Sequence, residues 1–174
     1  KKGLMVVDQN LAHFRIKYED ILGRLKSSTQ HSQQQLFPQN INLTKNDGEI
    51  LKSLFEELKN IGFEIEDAGK GNFVIVGVPA DLKDTNIPSV IESIIENHKS
   101  NVDELDFDKN INIAKSIAIR SAIKNGIKLD KREMKEIFDS LFKCKAPTVS
   151  PDGKNILRTI GESELEQILK NPRD

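Results

Sequence analysis

Tryptophan is absent from this 174-residue chain, and cysteine occurs once, at Cys144. A lone thiol permits no internal disulfide and suits a reducing cytoplasm. An excess of either charge is missing too: 27 acidic side chains face 26 Lys and Arg, for a net charge of −1. No global basic field therefore advertises nucleic-acid binding. No apolar run approaches the roughly 18 residues of a membrane-spanning helix, and no signal-peptide pattern is present, so the expectation is a soluble, cytoplasmic chain. What is there, 37% hydrophobic and 30% charged residues, suffices for a real core in one or two small domains. Lys1-Lys2-Gly3 runs straight into a strand without an initiator methionine, and the chain reads as part of something longer.

The stretch from Val6 to Glu19 organises the rest. An apolar run, Leu4 to Val7, ends on Asp8, and Leu11, Phe14, Ile16 and Tyr18 follow. A strand thus hands over to a helix, expected from about Asn10 to Lys26, with an acid at the junction. Two readings are open. Asp8 caps the helix while His13 and Glu19 sit on its surface, or Asp8, His13 and Glu19, one or two turns apart, share a face and bind a divalent cation.

Further on, Gln33-Gln34-Gln35-Leu36-Phe37-Pro38 sets a glutamine, an aliphatic and an aromatic ahead of a proline that keeps the segment extended. Such a segment suits insertion into a pocket: the Gln33 amide satisfies the rim and Leu36 and Phe37 fill the interior. The alternative is a polar linker entering a strand at Gln39 to Leu43. Thr44-x-x-Asp47 opens a helix as a carboxylate capping box, with Ile50, Leu51, Leu54, Phe55 and Leu58 on one face. Gly62 stops it. Phe63 and Ile65 begin a strand, 67–71 turns the chain, and 73–78 returns to close a hairpin. Gly69-Lys70-Gly71 lies between strands and not ahead of a helix, so it reads as a turn and not a phosphate cradle. Pro88 sits in the first turn of another amphipathic helix, which His98 ends.

Charge is uneven along the chain. Residues 81–108 hold eight acids against two bases, and 109–145 hold ten bases against four acids. Asp103, Glu104, Asp106 and Asp108 lack the glycine turn and distal glutamate of a calcium loop and read as a linker. Ile111 to Lys124 is a helix carrying small residues, ended by Asn125-Gly126. Asp130 with Glu133 caps the next helix, whose apolar stripe is Met134, Ile137, Phe138, Leu141 and Phe142. A strand over 155–160 and a helix from Ser163 to Leu169 close the chain.

These motifs, in this order, resemble the C-terminal domain of the MutL mismatch-repair proteins. That family opens with Asp-Gln-His-Ala, two residues, Glu, four residues, Glu. Here Asp8, Gln9 and Glu19 match, while Asn10, Leu11 and Phe14 replace the histidine, alanine and first glutamate. Ala118-Ile119-Arg120 is similar to the family's Ala-Cys-Arg. Ser150-Pro151-Asp152-Gly153-Lys154 is similar to its Cys-Pro-His-Gly-Arg, with Ser150 and Asp152 where the ligand cysteine and histidine stand. Gln33, Leu36 and Pro38 fall on the family's clamp-binding Gln-x-x-Leu-x-Pro.

The resemblance implies an α/β (α+β) fold of two subdomains: a dimerisation subdomain from 1–43 and 101–174, and an inserted external α+β subdomain over 44–100. The family has a further strand ahead of Lys1. It implies homodimerisation, a sliding-clamp contact through Gln33, Leu36, Phe37 and Pro38, and association with other mismatch-repair proteins. It also implies ATP and Mg in an N-terminal lobe absent from this chain, with no cofactor in this domain. Asp8, Gln9, His13, Glu19, Arg120 and Asp152 are the remnant of the family's endonuclease motif. With its imidazole and thiolate positions replaced, no metal and no catalysis are expected. The competing reading is a DNA-nicking endonuclease with an altered metal site built from Asp8, His13, Glu19 and Asp152, helped by Arg120. The basic helices around Lys115, Arg120 and Lys124 are candidates for phosphate contact.

Overall fold

The computed structural model describes residues 3–27, 32–82, 85–101 and 108–170, except the side chains of Leu36, Asp81 and Asn101. In chain order the elements are β1 (Gly3–Val7), α1 (Gln9–Ser27), β2 (Ser32–Asn42), α2 (Lys45–Ser53), α3 (Phe55–Asn60), β3 (Glu64–Gly69), β4 (Asn72–Pro79), α4 (Ile87–Asn101), α5 (Lys109–Ser121), α6 (Lys131–Leu141), β5 (Leu157–Gly161) and α7 (Glu162–Lys170). The fold is α+β with antiparallel sheets. It divides into two compact units, Lys1–Ile16 with Ala122–Asp174, and Lys17–Ser121. The middle unit is thus longer than the insert expected over 44–100. One reason is that β2 pairs with β4 and so belongs to the middle sheet.

In the first unit β1 pairs with β5, Gly3 opposite Gly161 and Val7 opposite Leu157. The handover from β1 to α1 is closed on both sides. The Asp8 N–H donates to Ile156 O at 2.8 Å, and Asp8 Oδ1 accepts the Leu11 N–H at 3.0 Å. Asp8 therefore caps α1, satisfying a donor that the helix leaves open. The core beneath is small: Ala12, Leu141 and Ile156, with Val7, Leu11, Ile16 and Ile137 packed against it. At the start of α6, Asp130 Oδ1 accepts the N–H groups of Arg132 and Glu133, and Glu133 Oε2 accepts the Asp130 N–H. This is the reciprocal box expected from the sequence.

The apolar stripe of α6 divides between two environments. Leu141 is buried and Ile137 half-buried, whereas Met134, Phe138 and Phe142 are 50, 44 and 46% exposed. Five apolar residues over nine positions cover more than one helix face, and the small core takes only one of them.

The second unit has the strand order β2-β4-β3, and α4 lies against α2, α5 and β2. Its core includes Ile41, Leu51, Leu58, Phe63, Phe73, Ile75, Val90, Ile91 and Ile94. The helix expected to run on from Thr44 is broken at Leu54, which has φ −110° and ψ 2° and separates α2 from α3. Thr44 caps α2 as expected, its Oγ1 accepting the Asp47 N–H at 3.2 Å. Asp47 forms an ion pair with Lys99, and this partner, with Thr44, holds its carboxyl below the usual aspartate range. Asn86 Oδ1 caps α4 by accepting the Ser89 N–H. Asp108 does the same for α5 through the N–H groups of Asn110 and Ile111. Asp103, Glu104 and Asp106 lie outside the described residues.

β3 and β4 form the expected hairpin, and Gly69, Lys70 and Gly71 at its turn all have positive φ, 82°, 55° and 81°. A Cβ at Gly71 would stand 2.3 Å from Leu43 O, and the Gly71 carbonyl accepts the Leu43 N–H. The turn thus needs glycine for both conformation and space. Gly71→Ala is expected to destabilise the chain by about 2 kcal/mol or more, read as a lowered midpoint in urea unfolding.

Candidate functional site

Three of the positions where the resemblance places metal ligands are put to structural use. Asn10 donates from Nδ2 to Ile123 O at 2.6 Å. Phe14 is 2% exposed and belongs to the core. Ser150 is buried, and its Oγ accepts the Lys154 N–H at 3.1 Å in a turn that Gly153 completes at φ 80°. Ile119 is 45% exposed on α5.

Of the residues retained from the motif, two are held by hydrogen bonds of their own. Asp8 is committed to its cap, and His13 Nδ1 accepts the Ile123 N–H at 3.0 Å. Glu19 is eleven positions beyond Asp8, about 16 Å along a helix, not the one or two turns expected. Asp152 is exposed on the turn after Ser150, and Arg120 is exposed at the end of α5, in the other unit. Among the described residues, no group of three or more His, Cys, Asp or Glu side chains is arranged to hold a metal ion. Asp8 and His13, each already held by a hydrogen bond of its own, and a set without any thiolate make a poor fit to a divalent transition-metal ion.

Sequence reasoning missed what the start of α1 does. Gln9 Nε2 donates to Ile127 O at 2.7 Å, and Arg15 Nε donates to Val149 O at 2.7 Å. With Asn10 and His13, four polar side chains on two turns bind main chain far away in sequence. Their spacing, among residues that pack, was the available signal.

The second candidate segment lies within one strand. β2 begins at Ser32, ahead of the strand expected from Gln39, so Gln33 to Pro38 is part of the sheet and not a linker before it. Gln34 faces Gly77 and Gln39 faces Ile75, so the four residues 35–38 stand opposite Val76 alone. Pro38 lacks the N–H that a continuous ladder would need, and the strand bulges there. β2 is an edge strand, and on its bulge Phe37 is 84% exposed. Gln33 and Pro38 are also exposed, and the Leu36 side chain lies outside the described residues.

The first unit also presents an uncovered apolar surface. Leu4, Met5 and Val6 of β1 are 50, 46 and 49% exposed, so both faces of the two-stranded sheet are open. Beside it a groove of about 260 Å³ is lined by Met5, Val7, Gln9, Leu129, Met134 and Phe138, among others. On α6 the Phe138 and Phe142 rings pack 4.7 Å apart. A two-stranded ribbon is marginal by itself, and contiguous apolar surface of this kind marks association.

An α+β chain with a displayed edge bulge and an open apolar face has the features of an assembly module. The profile of the MutL C terminal dimerisation domain family matches residues 1–129, and the chain belongs to that family. Similar proteins include the DNA mismatch repair protein MutL of Chlorobaculum parvum, 36% identical over 97% of this chain and 27% of that protein. Those of Chlorobaculum tepidum and Chlorobium phaeovibrioides are 34 and 35% identical over the same 97%. The chain spans 27 to 28% of the length of these three relatives.

Phe14→Glu, which returns the carboxylate of the family motif, is expected to bury a charge in place of a core ring. The loss is about 4 kcal/mol or more, a large part of a small domain's stability. Thermal unfolding followed by circular dichroism should show it, with Phe14→Leu much milder.

Proposed function

We propose that this chain is the part of a MutL mismatch-repair protein that joins two copies and tethers them to the sliding clamp, without cutting DNA itself. The observation that carries the tethering is the edge bulge. It displays Phe37 beside Gln33 and Pro38, where an aromatic anchor enters a partner's pocket without disturbing this chain's own core. The joining is supported by the apolar face of β1 and α6, which a second copy would cover. Two clamp-binding segments on one dimer raise the effective concentration of the second contact, so a weak peptide suffices. ATP and Mg belong to a lobe outside this chain, and the working compartment is the cytoplasm, at DNA. Lys115, half-buried on α5, and the exposed Arg120 and Lys124 are not required by this reading.

The nuclease reading draws on Asp8, His13, Glu19 and Asp152 with Arg120 as helper, and of these Asp8 is held as a helix cap and His13 as a hydrogen-bond acceptor. Supercoiled plasmid incubated with micromolar protein and manganese should stay intact. Nicking that disappears in Asp8→Asn would establish the enzyme instead. For the tether, Gln33→Ala with Phe37→Ala should weaken retention on immobilised sliding clamp by about tenfold or more while leaving the circular dichroism spectrum unchanged. Equal retention of variant and parent would remove the clamp from the function.

A further inference from the structure

The connection between α5 and α6, residues 122–130, starts from the buried Ala122 and then runs out into solvent. Residues 124–128 are exposed, and Ile127 is 54% exposed. The main-chain bond within it, from the Ile127 N–H to Lys124 O, is long at 3.4 Å, and Gly126 turns at φ 84°. Yet its course is bound from outside by the first turns of α1. Asn10 Nδ2 donates to Ile123 O, His13 Nδ1 accepts from Ile123 N, and Gln9 Nε2 donates to Ile127 O, at 2.6, 3.0 and 2.7 Å. Both polar groups of one residue are gripped by neighbouring side chains of one helix turn, and a third bond pins the loop four residues on. Two residues beyond Ile127, Leu129 lines the apolar groove beside α6, and Gln9 lines the same groove.

We infer that Gln9, Asn10 and His13 form a clasp that positions Leu129 in the groove wall, so that the surface offered to a second copy of this chain depends on the clasp being closed. These three are positioning residues. Asn10 and His13 grip the loop without lining the groove, and Gln9 acts through its bond to Ile127. The inference rests on the reading of that groove as the homodimer face. Its chemistry is that of hydrogen bonds at a loop without a packed interior: opening the clasp leaves the Ile123 N–H and C=O without their partners and frees the loop to move.

The test uses the whole chain, with Asn10→Leu, His13→Phe and Gln9→Leu made singly. Gln9→Leu removes a bond at an exposed site and leaves the core intact. His13→Asn places an oxygen close to the position of Nδ1 and serves as the restoring variant. Amide hydrogen exchange over 123–129 reads the clasp, and sedimentation equilibrium reads the dimer. Phe138→Glu, on the groove itself, reads the face independently. Faster exchange and a dimer dissociation constant raised by about tenfold in Asn10→Leu and His13→Phe, both recovered in His13→Asn, is the expected result. Unchanged exchange in all three loss variants overturns the clasp. Faster exchange with an unchanged dimer, while Phe138→Glu dissociates it, overturns the coupling and leaves the dimer face standing. A dimer indifferent to Phe138→Glu overturns the face and the inference with it.

Discussion

Ala12 is fully buried against Leu141 and Ile156, and this contact sets how closely α1 approaches α6 and the chain entering β5. A methyl group permits the approach, and a larger side chain would hold the segments apart. The close approach aligns the Asp8 N–H with Ile156 O and brings Asn10 and His13 within reach of Ile123. The cap and the loop attachment of the first unit lie on the same turns of α1 as that one small residue.

The two units handle their apolar surface differently. The second closes over its own interior: Phe73 meets Phe55 edge-on at 6.2 Å, and α4 contributes Val90, Ile91, Ile94 and Ile95, all buried. The first has a small core and leaves Leu4, Val6, Phe138 and Phe142 about half exposed. A family of dimerisation domains is consistent with that imbalance, since association covers what the short chain segments of one copy cannot. The positions that the resemblance pairs with metal ligands fit the same picture: Asn10, Phe14 and Ser150 serve as a loop donor, a core ring and a turn acceptor.

Much of the local structure was legible because its causes are local. Thr44 and Asp130 cap helices through side chains three residues from N–H groups they satisfy, whereas Asp108, read as part of a linker, caps α5. Gly69 and Gly71 turn a hairpin because glycine tolerates positive φ. The other misread features depend on partners distant in sequence. The break at Leu54 falls inside an unbroken apolar pattern. The exposure of Phe138 depends on how little core the first unit offers. The bulge at 35–38 became visible only when β4 set the register on either side of it.

The sequence by itself determined the caps at Thr44 and Asp130, the glycine turn and the family membership, because residue type and spacing carry these directly. Tertiary structure decided that β2 joins the middle sheet, that Phe37 stands out on a bulge, and that Gln9, Asn10 and His13 reach a loop more than a hundred residues away. Those outcomes follow from hydrogen bonds and packing between segments that only the folded chain brings together, and no local pattern encodes which segments will meet.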